Sequence, residues 1–429
     1  MRHAKAIVDK LRHPESFLGP VLTLVSGTAV AHGITAGALI VLARLYSPAE
    51  FGVLGVFTAI YFSLSVISCL RFDIAIALPR DDGEAASLLS LSLLSALLVA
   101  AVVALGLALV PASVVRTAGA QAVQPYLWLL PVALLVVGVF SAFQNWFIRR
   151  RQYAGIARAR AAQSLGAASV QIGAGLAGAG PIGLIAGVVL NGGTGAAMML
   201  RSIAADIRSV GGWPNVRSLK QAARDYSRFP LYSTWEALAN SMAVQVPVLL
   251  VAALTSASEL GQLLMALNVV QAPLALFGNA TAQVFLSQAP TKAREGLLGQ
   301  FTRQTVWNLL RAGTPMMAAI AFLAPWVFPL MFGPNWQRAG ILAAWMTPWM
   351  LMQFAYGPVS MVFQILGRQR LAMLVQIFGL LLRVGMTWAG GILLAGRASE
   401  FYALSGMIFY GLAILLIFFI LPRPNVQIV

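Results

Sequence analysis

The sequence predicts an all-α integral membrane protein whose twelve transmembrane helices form two six-helix bundles around a central cavity. Three observations predict this fold class: twelve apolar stretches fill residues 17–421, short connections join them, and basic residues occupy every second connection. A hydrocarbon core about 30 Å thick requires about 20 apolar residues at about 1.5 Å rise per residue. The 429 residues are 59% hydrophobic and 10% charged, whereas soluble domains carry about 25% charged residues. Almost no mass is left for a soluble domain.

Each apolar stretch predicts one span, and the longest connection divides the spans into two sets of six. The N-terminal lobe is predicted over residues 1–203, a cytoplasmic linker over 204–229 and the C-terminal lobe over 230–429. The predicted spans cover residues 18–43, 52–72, 87–110, 124–147, 156–178, 181–203, 230–254, 260–287, 304–331, 339–366, 371–395 and 400–421.

The positions of the basic residues predict that both termini are cytoplasmic. The net charge is +16, and most Lys and Arg residues lie at the N-terminus, on the even-numbered connections or at the C-terminus. Basic side chains remain on the cytoplasmic side of a membrane protein. The charge therefore indicates topology and argues against nucleic acid as a partner.

Polar side chains within the spans fall on single helical faces. His32 lies in span one, and Glu236 and Asn240 are one turn apart in span seven. Span eight carries a polar stripe about 120° wide at the α-helical period. Its members are Asn268, Gln271, Asn279 and Gln283. Polar stripes on several helices predict a water-filled cavity between the bundles. Interhelical hydrogen bonds, worth about 0.6–2 kcal/mol each, are the alternative.

Arg383 lies in the middle of span eleven, too deep to reach the membrane surface easily. A guanidinium there costs several kcal/mol unless it is paired or hydrated. We expect either an anionic substrate group or an ion pair with Glu236 or Asp73. Arg311 lies nearer the cytoplasmic end of its span, where lipid headgroups are an alternative partner.

Arg71 and Asp73 lie two residues apart at the inner end of span two. Residues at this spacing do not face each other on a helix. We therefore expect each to pair elsewhere, as part of a cytoplasmic gate.

Sequence motifs for enzymatic chemistry are absent. The chain has no Walker A motif, no G-x-G-x-x-G after a strand, no H-E-x-x-H and no Cys/His spacing for a metal. We expect no enzyme activity, no cofactor and no metal site. Transport would be passive, potential-driven or coupled to a cation, with proton and sodium both open.

Five segments, in this order, resemble one family. They are 44–52 (RLYSPAEFG), 70–79 (LRFDIAIALP), 283–286 (QVFL), 332–340 (FGPNWQRAG) and 358–370 (PVSMVFQILGRQR). The ordered set resembles the polysaccharide-biosynthesis flippases (Wzx-type, O-antigen and capsule) of the multidrug/oligosaccharidyl-lipid/polysaccharide exporter superfamily. Within the fourth segment, Gly333 and Pro334 predict a helix end, and Trp336 is expected to anchor at the outer interface.

The resemblance implies an alternating-access flippase that moves an undecaprenyl-diphosphate-linked oligosaccharide to the outer leaflet of a bacterial inner membrane. Such proteins serve the assembly of O-antigen, capsule or exopolysaccharide. They often work beside a glycan polymerase and a chain-length regulator.

Within that implied mechanism, helical phase suggests roles for the polar residues in the spans. Arg383, and with it Arg71 and Arg311, would neutralise the diphosphate. Glu236 or Asp73 would carry a coupling cation. Sugar hydroxyl groups would be bound by His32, Asn240, Asn268, Gln271 and Asn279.

Two other functions are weighed against the flippase. A multidrug or cation antiporter of the same superfamily would share the fold. Such an antiporter usually requires carboxylates in its cavity, whereas the candidate cavity residues here carry a net positive charge. A membrane glycan polymerase or ligase typically carries a large external loop. The external loops here are about a dozen residues or fewer, which argues against such an enzyme.

Overall fold

The computed structural model describes residues 18–109, 121–210, 212–394 and 396–421. These residues form helices and turns, with no β-strand among them. The α-helices are α1 Leu18–Leu45, α2 Pro48–Ser65, α3 Phe72–Ala75, α4 Asp82–Leu109, α5 Leu129–Arg149, α6 Tyr153–Leu176, α7 Pro181–Ser209, α8 Val216–Asp225, α9 Thr234–Leu254, α10 Ala257–Arg294, α11 Leu298–Phe332, α12 Gln337–Val359, α13 Val362–Ile365, α14 Gln369–Ile392 and α15 Ala398–Ile420.

The long helices follow the predicted spans in order. All the helices just named except α3, α8 and α13 are 18 residues or longer. Among the described residues, eight segments are long and apolar enough to cross a membrane. The chain is an all-helical, multi-pass membrane protein, and the count of twelve spans stays a prediction.

The end of the second span differs from the prediction. Helix α2 stops at Ser65, and turns continue to the short helix α3, whereas the apolar pattern predicted one helix over 52–72. Leu70 and Arg71 have left-handed backbones, with φ of 47° and 64°. An L-residue in that region interrupts a right-handed helix. Hydropathy does not register such a break, because the residues on both sides are apolar.

Two compact units contain the described helices. Among the described residues, the first comprises 18–46, 57–109 and most of 121–242, and the second comprises 47–56 and most of 243–421. In the first unit α6 packs against α1 and α7, and α5 packs against α4 and α7. In the second unit α12 packs against α10, α11 and α15, and α14 packs against α15. The predicted lobe boundaries, the linker and the central cavity stay predictions.

The turn between α11 and α12 is built into the second unit. Helix α11 ends at Phe332, as predicted, because Gly333 takes a φ of 107° before Pro334. The buried Gln262 side chain donates to the Asn335 carbonyl oxygen at 2.6 Å and accepts from the Ala339 N–H at 2.9 Å. These bonds satisfy backbone groups that the turn leaves without helical partners.

Trp336 is not the interfacial anchor that its position in a loop suggested. Its side chain is 1% exposed, and its ring meets Phe51 edge-on with 5.1 Å between centroids. Two of the family-like segments, 44–52 and 332–340, thus make contact inside the second unit. The interfacial prediction is wrong because the loop folds back onto the start of α2.

An ion-paired triad joins the first turns of three helices of the second unit. The Arg338 guanidinium at the start of α12 binds Glu259 of α10, with Nη2 and Oε1 2.9 Å apart. It also binds Glu400 of α15. Carboxylates in a first helical turn are favoured by the helix dipole, and the shared guanidinium fixes the three helix starts relative to one another.

Helices α2 and α10 approach so closely that a side chain at Gly52 has no space. A Cβ atom there would collide with the Ala257 backbone carbonyl. We predict that Gly52→Ala lowers the free energy of unfolding by about 1–3 kcal/mol, because backbone atoms must shift. Thermal unfolding in detergent, followed by tryptophan fluorescence, measures this effect.

The matched control is Gly106→Ala in α4, where an added Cβ meets open space. It should leave stability unchanged or raise it by up to about 1 kcal/mol through helix propensity. Equal melting of Gly52→Ala and wild type would contradict the close approach of α2 and α10.

Candidate functional site

Arg383 lies in α14 among aromatic rings of the second unit. Its Cζ atom is 5.1 Å from the ring centroid of Phe409, 5.3 Å from that of Tyr410 and 5.9 Å from that of Trp349. The side chain is half-buried. We call these three rings the aromatic cluster.

Two helices supply the rings, and further aromatic contacts orient them. Trp349 of α12 meets Tyr402 of α15 edge-on, with 5.0 Å between centroids. Tyr356 of α12 contacts both Phe409 and Tyr410. Within each helix these aromatic residues recur after seven residues, about two helical turns. Each helix therefore presents its rings on one face, and α12 and α15 pack together.

The aromatic cluster compensates only part of the cost of burying this guanidinium. Cation–π attraction is worth about 0.5–2 kcal/mol per ring, but it does not satisfy the N–H donors. Nε and Nη2 of Arg383 are buried without a hydrogen-bond partner among the described residues. An unpaired buried donor costs about 1–3 kcal/mol, and more when it is charged.

Two neutral polar groups, one in α12 and one in α14, are also buried without a hydrogen-bond partner among the described residues. Nε1 of Trp349 and Oγ1 of Thr387, one turn from Arg383, are buried and have no hydrogen-bond partner in the described part of the chain. Arg383 forms no ion pair with another described residue of the second unit. Glu236 and Asp73 belong to the first unit, so the predicted pairing of Arg383 with one of them stays a prediction. The described residues thus leave several polar atoms near Arg383 without hydrogen-bond partners.

Asp73 and Arg71 have separate surroundings in the first unit. Asp73 is 8% exposed and accepts a 2.6 Å hydrogen bond from the Ser141 hydroxyl of α5. Nε of Arg71 is buried without a hydrogen-bond partner among the described residues. Arg71 precedes α3 with a left-handed backbone, so the two residues do not share one helix as the prediction assumed. Their pairing elsewhere and their part in a gate stay predictions.

Six of the remaining sequence candidates have exposed side chains. The side chain of Asn279 lies outside the described side chains. Within the described residues, no hydrogen bond or ion pair joins two candidates, and no group of three His, Cys, Asp or Glu could hold a metal ion. The exposed candidates are His32, Glu236, Asn240, Asn268, Gln271 and Arg311.

Sequence reasoning identified Arg383 but missed the aromatic cluster around it. A lone arginine in an apolar span is conspicuous, whereas Trp349, Phe409 and Tyr410 resemble ordinary packing residues. The signal that was available is the seven-residue spacing of aromatic residues in α12 and α15.

Comparisons with known proteins agree with this architecture. A sequence profile described as "polysaccharide biosynthesis protein" matches residues 41–340. No curated protein sequence matches the chain. A lipid II flippase, MurJ, in an inward closed conformation matches with a TM-score of 0.68 and 11% identity, over 92% of this chain and 87% of that one.

Two structures of multidrug resistance transporters of the MATE family and MOP superfamily share the fold. The inward-facing structure matches with a TM-score of 0.66 and 15% identity, over 90% of this chain and 93% of that one. The outward-facing structure matches with a TM-score of 0.54 and 14% identity, over 93% and 96%. At these identities the likeness is one of fold alone.

Replacing Arg383 should not weaken the fold. We predict that Arg383→Met melts at or above the wild-type temperature, because an unpaired buried charge is exchanged for an apolar side chain. The same substitution at Arg338 should cost about 1–3 kcal/mol, because it leaves Glu259 and Glu400 unpaired. Thermal unfolding in detergent compares the two variants, and a similar loss in both would mark Arg383 as a structural residue.

Proposed function

Because the chain belongs to the polysaccharide biosynthesis protein family, we propose that it flips an undecaprenyl-diphosphate-linked oligosaccharide across a membrane. The substrate would move from the inner to the outer leaflet by alternating access. It would then serve the assembly of O-antigen, capsule or exopolysaccharide. The fold shared with a lipid II flippase supports a lipid-linked substrate.

The environment of Arg383 is the observation that carries this proposal. Its buried Nε and Nη2 atoms have no protein acceptor among the described residues, and aromatic rings surround its guanidinium. Guanidinium groups bind phosphate oxygens through charge-assisted, often bidentate hydrogen bonds. A diphosphate would therefore satisfy donors that the protein leaves open, and aromatic faces suit the apolar faces of sugars.

Other residues take supporting roles in the proposed mechanism. Arg71 and Arg311 would add positive charge along the path of the diphosphate, and Glu236 or Asp73 would carry a coupling proton or sodium ion. Exposed amides on membrane-spanning helices are costly against lipid, which supports a hydrated path for the glycan. Sugar hydroxyl groups would be bound by His32, Asn240, Asn268, Gln271 and Asn279.

Drug export is the competing function, since two of the matched structures are multidrug transporters. A cationic drug favours a carboxylate in the binding site, whereas the charge that lies among the aromatic rings of the second unit is a guanidinium. The charge sign therefore favours an anionic substrate.

We further propose that the protein acts in a bacterial inner membrane, beside a glycan polymerase and a chain-length regulator. This setting follows from the proposed substrate, which is made on the cytoplasmic face and used on the opposite face.

Deletion of the gene, followed by complementation, tests the proposal. We expect lipid-linked oligosaccharide to accumulate on the cytoplasmic leaflet and surface polysaccharide to disappear. Wild type should restore both, whereas Arg383→Met should restore neither although it accumulates to the wild-type level. The measurement is the leaflet distribution of the lipid-linked oligosaccharide, read by its accessibility from outside.

The matched control is Arg303→Met in the same unit. Arg303 is exposed and lies 5.9 Å from a single ring, that of Phe418, so this variant should complement fully. A normal leaflet distribution of the lipid-linked oligosaccharide in the deletion strain would contradict the proposed flippase function. Increased drug sensitivity of that strain would favour export instead.

A further inference from the structure

A second basic site lies in the first unit, at the end of α5. An open cavity of about 400 Å³ is lined there by Arg149, Arg150 and Arg151, with Asp82 and Tyr153. None of these residues is among the sequence candidates for transport. The end of α5 is the end of a predicted span, on the side where basic residues predict the cytoplasm. The cavity is therefore expected at the level of the lipid headgroups.

The charges of the cavity do not cancel. Three guanidinium groups against one carboxylate leave a net charge of +2 on its lining. The Asp82 carboxylate is engaged by Arg149 Nη2 at 2.8 Å and by Arg150 Nη1 at 3.0 Å. Arg149 also donates to the carbonyl oxygens of Ile76 and Pro79. It is fixed by the fold, and we assign it no ligand.

Arg150 is only partly paired. It binds Asp82, and its guanidinium lies 5.3 Å from the Trp146 ring centroid. Its Nε atom is buried and lies 3.9 Å from Asp206 Oδ2, beyond hydrogen-bond distance. This atom has no hydrogen-bond partner among the described residues. This buried atom faces Asp206, with which it forms an ion pair. A ligand in the cavity could therefore meet only the terminal nitrogens of Arg150.

Arg151 stands where a glycine is expected. The Gln152 N–H donates to the Phe147 carbonyl at 2.9 Å and the Arg151 N–H donates to that of Ile148 at 3.0 Å, which closes the end of α5. Position Arg151 has a φ of 55°, and helix ends of this type usually place glycine there because a Cβ atom is strained. The exposed Arg151 side chain makes no hydrogen bond or ion pair within the described residues. Its presence is not explained by the fold.

We propose that this cavity binds the phosphate group of a membrane lipid, with Arg151 and Arg150 as the principal donors. Guanidinium pairs with phosphate through parallel charge-assisted hydrogen bonds, and the Tyr153 hydroxyl is a further donor. Ala77 and Ile148 complete the lining, and the neighbouring Leu78 is 59% exposed. A hydrocarbon chain can therefore lie beside the phosphate.

Two lipids present this chemistry at the cytoplasmic surface. One is an anionic phospholipid such as phosphatidylglycerol, and the other is the polyprenyl diphosphate of the proposed substrate. Only the second depends on the proposed function. The net charge disfavours zwitterionic headgroups, which carry their own cation.

The test is lipid binding by the purified full-length protein in detergent, measured as the lipid-dependent rise in melting temperature. Phosphatidylglycerol and undecaprenyl diphosphate are titrated separately, with phosphatidylcholine as the zwitterionic comparison. Arg151→Gln and Arg151→Gly should each weaken binding by about tenfold or more, because hydrogen bonds from a charged donor are lost. Without lipid, Arg151→Gly should melt at or above the wild-type temperature, because glycine relieves the backbone strain.

The matched control is Arg370→Gln, which removes one exposed positive charge from the second unit and should leave both affinities unchanged. If the Arg151 variants lose affinity for phosphatidylglycerol alone, the cavity is a phospholipid site. If they lose affinity for undecaprenyl diphosphate alone, the cavity captures the substrate. Unchanged affinity in both Arg151 variants, or an equal loss in Arg370→Gln, would overturn the proposal. If the protein does not transport the lipid-linked oligosaccharide, the result for phosphatidylglycerol binding still stands.

Discussion

The guanidinium of Arg383 needs compensation because it has lost much of its hydration among apolar helices. Aromatic faces supply part of that compensation, and they do so without accepting its hydrogen bonds. The rings that face Arg383 come from α12 and α15, and the arginine comes from α14. In the proposed mechanism, the diphosphate of the substrate would be the anion that accepts the remaining hydrogen bonds of Arg383.

Other charges of the protein are treated differently. Arg338 joins Glu259 and Glu400 at three helix starts, and Arg149 joins Asp82 and the backbone at the end of α5. These pairs lie at helix ends, where backbone groups also require partners, and they hold the helices in register. Arg383 and Arg151 lack such partners among the described residues. The contrast separates charges that build the fold from charges available to ligands.

The sequence predicts the order of the long helices well, because apolar length is a property of each segment alone. It also identifies Arg383, since an arginine is rare in an apolar span. The break after Ser65 and the burial of Trp336 escape prediction, because left-handed residues and contacts between distant segments leave no mark in hydropathy. The seven-residue spacing of aromatic residues hints at the aromatic cluster, but its contact with Arg383 and the left-handed backbone of Arg151 emerge only from the structure.

The proposed function requires that this protein, without any other protein, transports a diphosphate-linked glycan across a membrane. The most direct measurement of this transport uses purified protein in liposomes that contain an undecaprenyl-diphosphate-linked oligosaccharide, with external lectin accessibility followed over time. We expect that the accessible fraction rises beyond the portion already in the outer leaflet, and that it does so only in liposomes that contain the protein. An accessible fraction identical to that of protein-free liposomes, under both an imposed proton gradient and an imposed sodium gradient, would contradict the proposed function.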